Sequence, residues 1–96
     1  MNKMNWNKAL EAMETGKAVS FEGWHNLHQH VFLVKERQVL KEDVKHMGDN
    51  ILHIDRSDTL FIRKHLSMVD QDGFIVVGWL PNSSEHFSED GWFVVE

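Results

Sequence analysis

An α+β fold, with an N-terminal amphipathic helix packed on a mostly antiparallel β-sheet and a short helix before the C-terminal strand, is predicted by three features of the chain. The segment "NWNKALEAMETG", Asn5 to Gly16, carries Trp6, Ala9, Leu10 and Met13 at i, i+3, i+4 and i+7, the spacing of one helical face. Short β-branched and aromatic runs, "KAVSF", "HVFLV", "FIVVGW" and "GWFVV", recur through the rest of the chain. Between the last two of these, Asn82 stands three residues ahead of Glu85 in "PNSSEHF", the form of a capping box.

In chain order, Asn5 caps the first helix and Gly16 suits its end. "KAVSF" then alternates, with Val19 and Phe21 on one side, and "HVFLV", His30 to Val34, reads as its antiparallel partner across the connection "EGWHNLHQ". The stretch from Lys35 to Asp58 is less defined: Val39, Leu40, Val44 and Met47 before Gly48 fit a helix, and "RQVLKEDV" fits an irregular strand equally well. "NILHID" follows as a short strand and then "TLFIRKHLSMV". "DQDG", Asp70 to Gly73, has the residues of a hairpin turn with glycine in the left-handed position. "FIVVGW" returns from it, and its near-continuous apolar character predicts burial on both sides. A helix of one to two turns from Ser83 to Ser88 and a last strand, "GWFVV", complete the chain.

Composition bounds the function. A chain of 96 residues, 42% hydrophobic and 26% charged, is sized for one domain, 1–96, with a single modest core. No apolar run approaches the roughly 18 residues of a membrane span, and the opening Met-Asn-Lys-Met-Asn-Trp has no apolar signal core. Cysteine is absent, which excludes disulfides, thiolate nucleophiles and cysteine metal sites. The formal charge of -5 argues against duplex DNA or long RNA, whose phosphates are met by Lys and Arg. A small nucleotide, held in one pocket by donors and aromatic faces, remains compatible with it.

Catalytic motifs do not emerge. His25, His28 and His30 form H-x2-H-x-H, which matches no zinc signature, and half-buried or surface histidines explain it without a metal. There is no G-x-S-x-G, and Ser83 and Ser84 lie in a capping context. Glu89 and Asp90 are adjacent, a spacing that points two carboxylates apart, and the six glycines are spread out rather than gathered in a phosphate-cradling loop. What stands out is three Gly-Trp pairs or near neighbours. Trp24, Trp79 and Trp92 each follow a glycine, in company with Asn82, Ser83, Ser84 and Asp90. A tryptophan-filled core accounts for them. So does an aromatic-walled pocket, in which indoles stack on bases, amides at Ser83 and Ser84 meet phosphate, and Asn82 and Asp90 meet ribose or base edges.

Two blocks of the chain, "ALEAMETGKAVSFEGWHN" and "MVDQDGFIVVGWLPNSSEHFSEDGWFVVE", resemble the small phage proteins of the second Thoeris anti-defence type. The likeness lies in a helix of the form "eAleaLk-G", a strand, a Gly-Trp turn, a hairpin, a Trp-x-Pro-Ser segment and a closing Asp-Trp before the last strand. Trp24 matches the first Gly-Trp, Trp79 the tryptophan before the proline, and Asp90 with Trp92 the closing Asp-Trp. Phe21 stands where many members have Arg, Asn82 replaces the Ser after Pro81, Glu85 takes an Asp position, and Gly91 is inserted between Asp90 and Trp92.

The resemblance implies a sponge rather than an enzyme. Such a protein is a cofactor-free homo-oligomer, a tetramer with interface pockets, that binds glycocyclic ADP-ribose made by a bacterial TIR-domain immune enzyme. It acts in the cytoplasm of the infected host and leaves the signal intact. On that reading Trp24, Trp79, Asn82, Ser83, Ser84, Asp90 and Trp92 bind ligand. The rival from another class is an interaction module that covers the surface of a host enzyme.

Overall fold

A computed structural model describes residues 3–24, 28–44 and 59–95. The chain forms two compact units, one from residues 1–34 with 65–96 and a smaller one from 35–64. In the first, strand β1 (Lys3–Met4) leads into helix α1 (Trp6–Glu14), followed by β2 (Ala18–Phe21) and β3 (His30–Val34). The second holds β4 (Arg37–Leu40), one turn of helix, α2 (Lys41–Val44), and β5 (Thr59–Ile62). The chain then returns to the first unit as β6 (His65–Val69), β7 (Ile75–Val77), the short helix α3 (Ser83–His86) and β8 (Trp92–Val95).

The large sheet has the order β1-β8-β2-β3-β6-β7, with every pairing antiparallel. This is the α+β architecture that the periodicities predict. The last strand is internal: β8 sets Trp92 opposite Met4 on one side and opposite Phe21 on the other. β1 was not expected, because two residues carry no readable period.

Helix α1 starts where Asn5 caps it, the side chain accepting from the Lys8 backbone N–H at 2.9 Å. Trp6, Ala9 and Met13 are its buried face, and Leu10 is only partly buried beside them. With Val19, Val31, Met68 and Trp92 they make the core of this unit. Buried Ser20 sits among these apolar groups because its hydroxyl donates to the Gln29 carbonyl at 2.7 Å.

The β6–β7 turn forms as the "DQDG" chemistry requires. Asp70 accepts from the backbone N–H groups of Asp72 and Phe74, both at 2.9 Å, and Gly73 adopts φ 85°, a conformation open to glycine at little cost. β7 itself departs from expectation. The run beginning at Phe74 is exposed rather than buried on both sides, because β7 lies at the edge of the sheet with only β6 beside it. "TLFIRKHLSMV" forms two strands, breaking at Arg63 and Lys64, and its halves join different sheets. "RQVLKEDV" resolves into a strand followed by a helical turn. The strand expected at "NILHID" and the positions of Met47 and Gly48 lie outside the described residues.

Candidate functional site

All four tryptophans meet in one cluster within the first unit. Trp24 and Trp79 approach edge to face, with centroids 5.9 Å apart and planes at 88°. Trp92 lies 5.5 Å from Trp24 and 6.3 Å from Trp79, and Trp6 lies 4.9 Å from Trp92 and 6.2 Å from Trp79. Aromatic quadrupoles favour these tilted and T-shaped contacts, at about 0.5–1.5 kcal/mol per pair beyond burial. The cluster divides into two layers. Trp92, 0% exposed, and Trp6, 6% exposed, form a buried base, while Trp24 and Trp79 are partly exposed.

Glu85 locks the arrangement. It occupies the third position of α3, 9% exposed, in a complete capping box: its Oε1 accepts from the Asn82 backbone N–H, and its own N–H donates to Asn82 Oδ1, both at 2.9 Å. Its second oxygen accepts from the Trp24 indole N–H at 2.6 Å, and its backbone carbonyl accepts from the Trp92 indole N–H at 2.8 Å. One short helix thus satisfies two indoles from distant parts of the chain. The helix is also shorter than expected. It runs Ser83–His86 with Phe87 as its C-cap, against the Ser83 to Ser88 span predicted.

Two of the three glycines beside the tryptophans, Gly23 and Gly91, answer to a ring, while Gly78 adopts φ 78°. A Cβ placed on Gly23 would fall 2.6 Å from Phe21 Cε2, and one on Gly91 would fall 2.4 Å from Phe21 Cε1 and 2.6 Å from Ser88 Oγ. Phe21 therefore lies against both glycine backbones while contacting Trp92 at 5.0 Å and Trp24 at 6.1 Å. The space between the two glycines is filled by the apolar Phe21 ring, and Gly91 gives it room. Gly91 is also held by its N–H to Ser88 Oγ and its carbonyl to the Glu22 N–H.

Of the seven residues predicted to bind ligand, the structure brings Trp24, Trp79 and Trp92 into contact and joins Asn82 to them through Glu85. Trp92 offers no free face within the chain and supports the other two rings. Asn82, Ser83, Ser84 and Asp90 are exposed. Near Asp90, Lys3 pairs with Glu22. The hydrogen bond and charge of Glu22, and then the charge of Asp90, hold the Lys3 ammonium above its usual pKa. The residues that sequence reasoning missed are Glu85 as the junction, Phe21 and Trp6. The capping box had marked Glu85, but nothing local indicates a bond spanning 61 positions to Trp24.

An open cleft of about 290 Å³ is lined by Asn5, Trp6, Asn7, His86, Phe87, Ser88 and Glu89, sharing Trp6 with the cluster but none of the seven. Among the described residues no three His, Asp or Glu side chains are placed to hold a metal ion, and His25 lies outside them. No helix among them is long and apolar enough to cross a membrane.

Compared with known families, residues 4–95 match the model of the Thoeris anti-defense 2-like domain. The matched span takes in the middle segment, where the sequence offered no recognisable likeness. No curated protein matches the chain.

Proposed function

The chain belongs to the Thoeris anti-defense 2-like family, which gives it a role in Thoeris anti-defence, and from that premise we propose that it is a sponge for a cyclic ADP-ribose-type signal, glycocyclic ADP-ribose. On this reading it works in the cytoplasm of the infected bacterium, as a homo-oligomer, a tetramer with pockets at its interfaces. It holds the signal uncleaved, so the effector downstream of the TIR-domain enzyme stays off.

The observation that carries the reading is the pair Trp24 and Trp79. Both are partly exposed, and both rest on a buried base with the Trp24 indole fixed by Glu85. A stacking surface that is already ordered loses little entropy on binding. Each base–aromatic stack contributes about 1–3 kcal/mol. The amide nitrogen of Asn82, whose oxygen is engaged in the cap, and the exposed Asp90 supply groups for ribose or base edges, and Ser83 and Ser84 supply donors for pyrophosphate. Trp92 serves from beneath.

A sponge present at low micromolar concentration needs nanomolar affinity, about -12 kcal/mol, because each pocket removes one signal molecule. Glycocyclic ADP-ribose mixed with the protein is therefore expected to leave solution stoichiometrically. Heating the complex until the protein denatures should return it chemically unchanged and able to activate the effector. A cleaved or linearised product, or loss continuing past one equivalent per pocket, would establish a hydrolase instead. No depletion, with Thoeris immunity still blocked, would establish an inhibitor that covers a host protein.

A further inference from the structure

We propose that β7 is the self-association edge: two copies join β7 to β7 antiparallel about a two-fold axis through Val76, so that two six-stranded sheets become one. The proposal rests on the oligomeric part of the function proposed above and names the surface involved.

The two edges of the sheet are built differently. β1 is two residues long, and its Lys3 is ion-paired to Glu22, the short and charged form that blunts an edge against further pairing. β7 has no such guard. From Phe74 to Pro81 the sequence contains no charge, and Phe74, Ile75, Val77 and Leu80 are 70%, 62%, 63% and 78% exposed. Alternation places Phe74 and Val76 on one face and Ile75 and Val77 on the other, so both faces of the edge are apolar. The strand is held ready by the Asp70 turn before it and by the Gly78 and Trp79 N–H groups after it, both bonded to the Leu66 carbonyl at 2.9 Å.

The uncharged edge lets a second acidic copy approach, and charge sets its orientation. The chain carries a formal charge of -5, so self-association must keep acidic groups apart. Parallel pairing would set Asp70 and Asp72 beside their own counterparts. Antiparallel pairing about Val76 sets Ile75 opposite Val77 and brings each acidic turn alongside the uncharged Trp79–Asn82 segment of the other copy. A two-fold contact of this kind is closed and self-complementary. It also brings a second subunit to the stretch that carries Trp79 and Asn82, which an interface pocket needs.

The absence of cysteine allows a direct test. Val76→Cys places one thiol per chain at the axis, where paired strands hold Cα atoms about 4.5–5.5 Å apart, within disulfide reach. Mild oxidation should convert Val76→Cys to a disulfide-linked dimer, while Lys17→Cys, also exposed, stays largely unlinked. In parallel, Ile75→Lys/Val77→Lys should reduce the mass measured by light scattering at least two-fold with an unchanged circular dichroism spectrum. Equal cross-linking of the two cysteine variants, or a lysine variant of unaltered mass, overturns the β7 interface. Neither result touches sequestration, which is read independently by signal depletion with the wild-type protein. A monomeric wild type at about 100 μM overturns the interface as well, and depletion by that monomer would leave the sponge standing without it.

Discussion

Three N–H donors converge on Glu85, from the Asn82 backbone and the indoles of Trp24 and Trp92. Removing its carboxylate strands a partly buried indole donor, at about 1–3 kcal/mol, and also weakens the cap, at about 1 kcal/mol. Glu85→Ala should therefore lower the unfolding free energy in urea by about 2–4 kcal/mol, against about 1 kcal/mol for Asn82→Ala. Equal losses would show that water replaces Glu85 at Trp24. Gly91→Ala makes a second residue-level case. Its Cβ would overlap both Phe21 and Ser88 Oγ, so overpacking by about 1–3 kcal/mol is expected in the same titration. A neutral Gly91→Ala would mean that the Phe21 ring has room to move. The sequence reveals the Gly-Trp neighbours but not what the glycines accommodate, since Phe21 reaches Gly91 across 70 positions only once β2 and β8 are paired, Phe21 opposite Trp92.

Helix α1 shows how far periodicity carries. Its face and cap are read from Trp6, Ala9, Met13 and Asn5, yet Leu10 falls at the margin of the stripe and is only partly buried. Met13→Ala, at a site 1% exposed, should cost about 2–5 kcal/mol, and Leu10→Ala distinctly less. Equal costs would place the helix in a different rotation. Period fails where neighbours decide. "FIVVGW" has the composition of a strand covered on both faces, and whether it is covered depends on strand order, which composition does not encode. β1 is missed for a related reason: two residues become a strand only because β8 arrives beside them.

At the scale of the molecule, the two units differ in what supports them. The six-stranded sheet carries a buried core against α1, whereas among the described residues of the smaller unit β4 pairs with β5 alone, and a two-stranded sheet has little independent stability. Hydrogen exchange should show the amides of β2 and β8 protected far longer than those of Arg37–Leu40 and Thr59–Ile62, and matched rates would show that the chain opens as one body. The family was legible in two blocks of sequence, because turns and Gly-Trp pairs are local signals. The site was legible as a set of residue types, with its buried and exposed tryptophans undivided, because burial is a property of the assembled sheet.

The placement of β8 between β1 and β2 also sets an order on the birth of the protein. Both neighbours are translated long before residues 92–95, and neither can close the sheet until that strand leaves the ribosome. Until then Trp6 and Met4 lack the strand they pack beside, and the nascent chain presents apolar surface that chaperones and proteases recognise. Chains stalled with residues 92–95 still inside the exit tunnel should be digested readily, and chains released past it should become resistant. Early resistance would mean that α1, β2 and β3 hold together without the strand that joins them.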